Sequence, residues 1–133
     1  MAGTAEQAYR QAQVETARPE QLVMMLYDGA RIRVSHAKLA MAVGDYALAR
    51  GHILKAQAIV SELISALDMQ AGEIAKNLFR IYEYVNYRLI EANVKHEMAA
   101  VDTALRILGE LRDGWSGMTV SRKPEAGARL AVV

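Results

Sequence analysis

Cysteine is absent, which removes disulfide frameworks, thiol nucleophiles and cysteine-ligated zinc and fits a reducing compartment. Proline occurs twice and glycine nine times in 133 residues. Long stretches therefore run without a breaker, favouring helices over a strand-and-turn architecture. Charge of one sign is also lacking. Sixteen basic residues against fifteen acidic ones leave +1 at pH 7, which supplies no general field for nucleic acid. No run reaches the roughly 18 uncharged apolar residues that a membrane span requires. The opening residues show no basic start leading into an apolar run, so no secretory signal is expected and cytoplasmic residence is the default. Aromatics are scarce at 6%, yet hydrophobic residues reach 53% and charged residues 23%, a balance that supports one real core and argues against disorder.

Residues 1–18 are polar and alanine-rich, with Tyr9 and Val14 as the few anchors, and read as a flexible or short-helical N-terminal segment. Pro19 suits the first position of a helix, where its missing N–H is not needed. An apolar pattern runs from Leu22 to Val43 and stops at Gly44, and Asp45 suits the cap of a second pattern, from Tyr46 to about Ala71. Gly72 closes that one. The third runs from Glu73 to about Lys95, and the fourth from about Glu97 to Trp115, with Gly114 and Gly117 closing it. Residues 118–133, with Ser121, Pro124 and Gly127, read as a flexible tail, leaving 19–117 as the folded unit. Links of about one to three residues force antiparallel neighbours, so the predicted fold is all-α, an antiparallel up-down-up-down four-helix bundle.

Periodicity supports this and shows a surplus. The second helix gathers Ile53, Ala56, Val60, Leu63, Ile64 and Leu67 on one face, and the fourth gathers Met98, Val101, Leu105, Leu108 and Trp115. The third lines up Ile74, Leu78, Ile81, Tyr82, Val85, Leu89 and Ala92, yet Phe79, Tyr87, Ile90 and Val94 fall roughly opposite. Ala47, Gly51, Leu54 and Ala58 likewise form a small-residue strip away from the second helix's core face. The first helix is apolar over most of its circumference, leaving Asp28, Arg31, Ser35 and Lys38 as its polar edge, and Gly29 on the inward side marks a close approach of another helix. One four-helix core does not need this much apolar surface.

Catalytic chemistry is sought without result. A di-iron bundle needs Glu-x-x-His pairs, but His36, His52 and His96 are isolated and none follows a Glu at that spacing. No Gly-rich phosphate loop, nucleophile elbow or HExxH stretch occurs. No catalytic, metal-binding or cofactor-binding residue is therefore expected, and no enzyme. Phosphotransfer bundles expose a His with Lys three residues on and a Gly beside it; here Lys38 is two residues on and no Gly follows. His36 falls on the side of Leu22, Leu26, Gly29 and Ala40 and reads as a core histidine. Tyr82 belongs to the core stripe, whereas Tyr84 and Tyr87 point elsewhere and suit contact with a partner.

Ala8-Tyr9, Thr16, Pro19 and Leu22 lead into Leu26-Tyr27-Asp28-Gly29, followed by Leu67, Gly72, Asn77-Leu78, Tyr82-Glu83-Tyr84, Arg88-Leu89, Glu91-Ala92-Asn93 and Trp115. In this order and spacing, over about residues 8–116, the chain resembles FliS, the flagellin-specific export chaperone family. Arg18 stands where a small hydroxyl residue is usual, and His96-Glu97 replace a more typical Asn/Asp start to the fourth helix. The resemblance implies a cytoplasmic bundle that binds the disordered C-terminal segment of flagellin, prevents early polymerisation and helps delivery to the flagellar type III export gate. It also places Tyr9 at the bundle surface, where the N-terminal segment would lie over part of an apolar groove. The client-binding residues expected from both lines of reasoning are Tyr9, Ala47, Gly51, Leu54, Ala58, Phe79, Tyr84, Tyr87, Ile90 and Val94. Alternatives of other classes are a helical signalling or phosphotransfer module, with His36 or His52 as acceptor, and a homodimeric structural bundle. Binding of a flagellin peptide without phosphohistidine separates the first reading from the second.

Overall fold

The computed structural model describes residues 19–121. Four helices fill them: α1 (Pro19–Ala42), α2 (Tyr46–Ser65), α3 (Glu73–Lys95) and α4 (Met98–Ser121). No strand occurs among the described residues. Each helix packs on the next, and α4 returns to α1, closing the antiparallel up-down-up-down bundle that short links require.

Gly44 and Asp45 end one helix and start the next. Gly44 takes φ +78°, its N–H donates to the Met41 carbonyl at 3.0 Å, and the Asp45 N–H donates to the Ala40 carbonyl at 2.9 Å, the paired bonds of a Schellman stop. The Asp45 carboxylate then accepts from the Leu48 N–H at 3.1 Å and caps α2. The α2–α3 link departs from expectation: α2 stops at Ser65, and residues 66–72 form a loop. Asp68 holds that loop, because its carboxylate accepts from the Gln70 N–H at 3.1 Å and its carbonyl accepts from the Ala71 N–H at 3.0 Å. An Asp that bonds its own following backbone competes with the helix. Gly72 is accordingly the N-cap of α3, at φ 104° and ψ −159°. At the other end, α4 continues past Gly114 and Gly117 to Ser121, because the Trp115 indole N–H donates to the Glu20 carbonyl at 2.9 Å and ties this turn to the start of α1.

The core is lined by Val23, Ala30, Val34 and Ala37 of α1, Ile53, Ala56 and Val60 of α2, Val85, Leu89 and Ala92 of α3, and Ala100, Val101, Ala104 and Leu108 of α4. Alanines at these positions let the backbones approach. Ile74, placed on the core stripe by periodicity, is instead 39% exposed, since it sits in the first turn of α3, at the rim of the bundle. Tyr27 and Tyr82 meet in the interior from α1 and α3, which lie diagonally across the bundle. Their rings are tilted 54° with centroids 6.3 Å apart, and their hydroxyls share a 2.6 Å hydrogen bond.

Tyr27→Phe is expected to cost about 1–3 kcal/mol, because it strands the buried Tyr82 hydroxyl; Tyr27→Phe with Tyr82→Phe removes both polar groups and costs less than the single change predicts. Urea denaturation of the three proteins checks this. Burial pushes both phenols above their ordinary pKa. The native state therefore holds two protons that the unfolded chain releases. Their contribution is complete below pH about 10 and falls progressively as pH rises above that value toward the raised native ones, a decline that flattens in the double Phe variant.

The glycines supply a second check. Gly72→Ala is expected to destabilise by about 1–3 kcal/mol, since its backbone region is essentially restricted to glycine. A Cβ at Gly51 meets nothing within 4 Å, so Gly51→Ala stabilises by about 0.5–1 kcal/mol in mid-helix. Gly29 is close to α2, with Ile59 Cδ1 at 3.5 Å from a Cβ placed there. Alanine fits that space, whereas Gly29→Leu overpacks it by about 1–3 kcal/mol.

Candidate protein-interaction surface

A helix in a closed bundle has one sector facing the core and two flanks facing its neighbours. On α3 the core sector is Tyr82, Val85, Leu89 and Ala92. The flank toward α4 is marked by Arg88, whose guanidinium donates to the Thr103 hydroxyl at 3.4 Å and to the Glu91 carboxylate at 2.8 Å. It is marked also by Ile81, which shares a groove with Ile107 and Leu111. Phe79 and Ile90 lie half a turn of the helical wheel from Arg88 and Ile81, so they occupy the flank toward α2. Tyr87 and Val94 extend that flank outward.

The α2 side of this surface comes from the expected strip. Ala47, Gly51, Leu54 and Ala58 are all exposed. The Tyr46 ring stacks on His96, with centroids 4.0 Å apart and planes within 6°, so the start of α2 lies beside the end of α3. His96 reaches this position in a left-handed C-cap at φ 52°, ψ 43°. At equal rise per residue along antiparallel helices, counted from Tyr46 and His96, Leu54 falls level with Arg88, next to Tyr87, and Ala58 with Tyr84. Leu54 is 50% exposed, Tyr87 56%, Ile90 49% and Val94 73%. Phe79 is half-buried, a floor rather than a projection. Tyr9 lies outside the described residues.

Tyr84 belongs to a different place. It is exposed, but it lines the α3–α4 groove with Arg80, Ile81, Arg106, Ile107, Glu110 and Leu111, a hollow of about 470 Å³. Arg106 is paired with Glu110 at 3.1 Å, and Arg80 donates to Asn77 at 3.3 Å. The expected residues therefore divide between a mainly apolar α2–α3 flank, with Glu83 exposed on it, and an arginine-rimmed α3–α4 groove. Periodicity held a signal for the second, because Ile107 and Leu111 fall off the Val101, Leu105 and Leu108 stripe. Joining it to Tyr84 required the register between helices.

The polar edge of α1 is not solvent-facing throughout. Lys38 pairs with Asp102 at 2.8 Å, and Arg112 with Asp28 at 3.0 Å, so it forms the seam with α4. His36 is corrected as well. It is exposed rather than core, because the buried stripe of α1 is centred on Val23, Tyr27, Val34 and Met41, about a third of a turn away. Its ring meets His52 edge-on, with centroids 5.1 Å apart. Among the described residues no polar or charged residue is buried, no group of three metal-ligating side chains occurs, and no helix is long and apolar enough to cross a membrane.

Comparison with known proteins gives one consistent picture. The family described as flagellar protein FliS matches residues 1–122. The flagellar secretion chaperone FliSB of Pseudomonas aeruginosa is 36% identical over 115 residues, covering 86% of this chain and 91% of that protein. The flagellar secretion chaperone FliS of Salmonella typhimurium is also 36% identical over 115 residues, covering 81% and 84%. That of Bacillus subtilis is 29% identical over 118 residues, covering 89% and 88%. A crystal structure of a bacterial flagellar chaperone superposes with a TM-score of 0.73 at 20% identity, over 92% of this chain and 100% of that one, and so shares the fold.

Tyr87, Ile90 and Val94 contribute an apolar surface open to solvent. Replacing Tyr87 and Ile90 with Ser is expected to lower binding of a hydrophobic dye while leaving the melting temperature within the range typical of surface changes, about 0.5 kcal/mol either way. Unchanged dye fluorescence, or a collapse of thermal stability, would show that these side chains are not the open patch.

Proposed function

The chain belongs to the flagellar protein FliS family, the flagellar secretion chaperones, and from that premise we propose that it binds the disordered C-terminal segment of flagellin. Bound in this way, the segment is unavailable for premature polymerisation, and the complex is carried in the cytoplasm to a component of the flagellar type III export gate. The activity is binding, with no catalytic step and no cofactor, and it involves neither nucleic acid nor membrane insertion. A homodimer over the same apolar faces is the competing use of the surface.

One observation carries this reading. Leu54 on α2 and Tyr87, Ile90 and Val94 on α3 leave about half or more of their surface open on adjoining flanks, with Ala47, Gly51 and Ala58 beside them. Small residues next to large apolar ones make a shallow receiving face for an amphipathic segment. A disordered client loses conformational freedom when it docks, so it needs extended apolar contact to bind well. The α2–α3 flank supplies this around the exposed Glu83, which stands one turn from Phe79 and one from Tyr87. The four helices form the receiving bundle, and α4 carries it to Ser121, past the expected limit at 117.

Titration with a flagellin C-terminal peptide tests the proposal. Leu54→Glu and Ile90→Glu are each expected to weaken binding by at least about tenfold, or about 1.4 kcal/mol, with helicity and melting temperature retained. Tyr84→Glu, in the other groove, has the smaller effect. An unmodified chain that does not bind the peptide sinks the proposal. Loss confined to Tyr84→Glu would move the receiving face to the α3–α4 groove.

A further inference from the structure

On the other flank of α2, in its seam with α1, the charge distribution is one-sided. His36 of α1 and His52 of α2 meet ring to edge at 5.1 Å. Arg33 of α1 and Lys55 of α2 stand close enough to oppose protonation of His52. No ion pair joins a carboxylate to any of these four among the described residues. Elsewhere along α1 the opposite holds, since Lys38 and Asp28 are both paired across the α4 seam. The cluster is thus the place where basic groups gather without neutralisation.

We propose that the α1–α2 seam is a docking site for an acidic protein segment, held by Arg33, His36, His52 and Lys55 and strengthened as pH falls. The geometry favours a segment over a flat anionic surface. His52 sits in the seam rather than projecting from it, with Nδ1 buried and without a hydrogen-bond partner. Beside it, on the outer face of α1 and turned toward α4, an open hollow of about 400 Å³ is lined by Asp28, Arg31, Ile32, Ser35 and His36, and Ile32 and Leu48 are exposed. Basic groups with exposed aliphatic residues at their margin fit carboxylates spaced along a chain with apolar side chains between them. Arg31 and Asp28 share that hollow; Asp28 is neutralised by Arg112, so the hollow adds no free negative charge.

The same residues set the pH dependence. Partial burial, then the neighbouring His36, Arg33 and Lys55, hold His52 below its ordinary pKa. In the free protein His52 is therefore reluctant to charge. Carboxylates brought against the pair favour the imidazolium forms, so docking takes up protons, and affinity must rise as pH falls through the histidine range.

The probe is a fluorescein-labelled synthetic peptide with alternating Glu and Leu, compared with its Gln-for-Glu counterpart by fluorescence anisotropy on the full chain. Affinity for the acidic peptide is expected to rise about tenfold between pH about 8 and about 6, with no such rise for the neutral peptide. His36→Gln with His52→Gln should flatten the pH dependence, and Lys55→Glu should weaken binding at both pH values. Lys55 is exposed, so that variant keeps the test decisive if the histidine pair proves necessary for folding. Flagellin-peptide binding should be unchanged in all of them, which separates this site from the client face. Equal binding of both peptides, or a pH rise that survives the histidine changes, overturns the proposal. Displacement of the acidic peptide by the flagellin peptide does so too, as does binding to phosphatidylglycerol vesicles in place of the peptide.

Discussion

The hydrogen bond between Tyr27 and Tyr82 constrains the bundle more than any surface contact does. Two phenol hydroxyls are carried into a largely aliphatic interior, where each would be costly alone, and at 2.6 Å each satisfies the other. Because α1 and α3 are diagonal, the bond sets the height of one antiparallel pair against the other. The end contacts agree with that register. Trp115 donates to the Glu20 carbonyl at one end, and Tyr46 stacks on His96 at the other. The exposed ion pairs between α1 and α4 decorate an arrangement already determined, since such pairs are individually worth little.

With the register held from inside, polar groups are used between helices and apolar groups are left outside. The seam between α1 and α4 contains Asp28, Arg31 and Lys38, facing Arg112, Gly109 and Asp102. The outer surface carries Leu54, Tyr87, Ile90 and Val94. The usual surface of a solitary bundle leaves fewer large apolar side chains facing water. A core rich in alanine makes the surplus workable. Close backbones need few large side chains to fill the interior, so those remaining are free to lie on the flanks.

Much of this was legible in the sequence, for reasons that differ by element. The limits of α3 followed from an uninterrupted pattern between Gly72 and His96, with nothing inside to break it. The end of α2 was misplaced because Leu67 continues the apolar stripe while Asp68 diverts the backbone, and a stripe does not register that competition. The end of α4 was misplaced because Gly114 and Gly117 are permissive residues, and the bond from Trp115 to α1 overrides them. His36 was taken for a core residue because α1 is apolar almost all round, which leaves the phase of its buried stripe poorly defined. The outward residues of α2 and α3 were easier, since each is defined by opposition to a clear stripe. Assigning Tyr84 to a separate groove depended on Ile107 and Leu111, and therefore on the packing of two helices that no single-helix pattern contains.

An exposed apolar face is an aggregation hazard unless something occupies it for much of the time, and its stiffness decides how well it can be occupied. Here the face is built on two regular helices rather than on loops, and both are backed by a close-packed core. The receiving side therefore loses little freedom on binding, leaving the ordering cost to the partner. The two flanks of α3 then differ in the anchors they accept. The α2 flank presents Leu54, Phe79, Ile90 and Val94 around the exposed Glu83, so it rewards apolar side chains and disfavours a carboxylate set against that one position. The α4 flank places Arg80 and Arg106 at the rim of its groove, where a docking segment must either bring carboxylates or disrupt the pair with Glu110. A secretion chaperone that receives a sticky segment and later releases it is better served by the first surface, whose affinity is set by contact area and falls off gradually as the segment peels away.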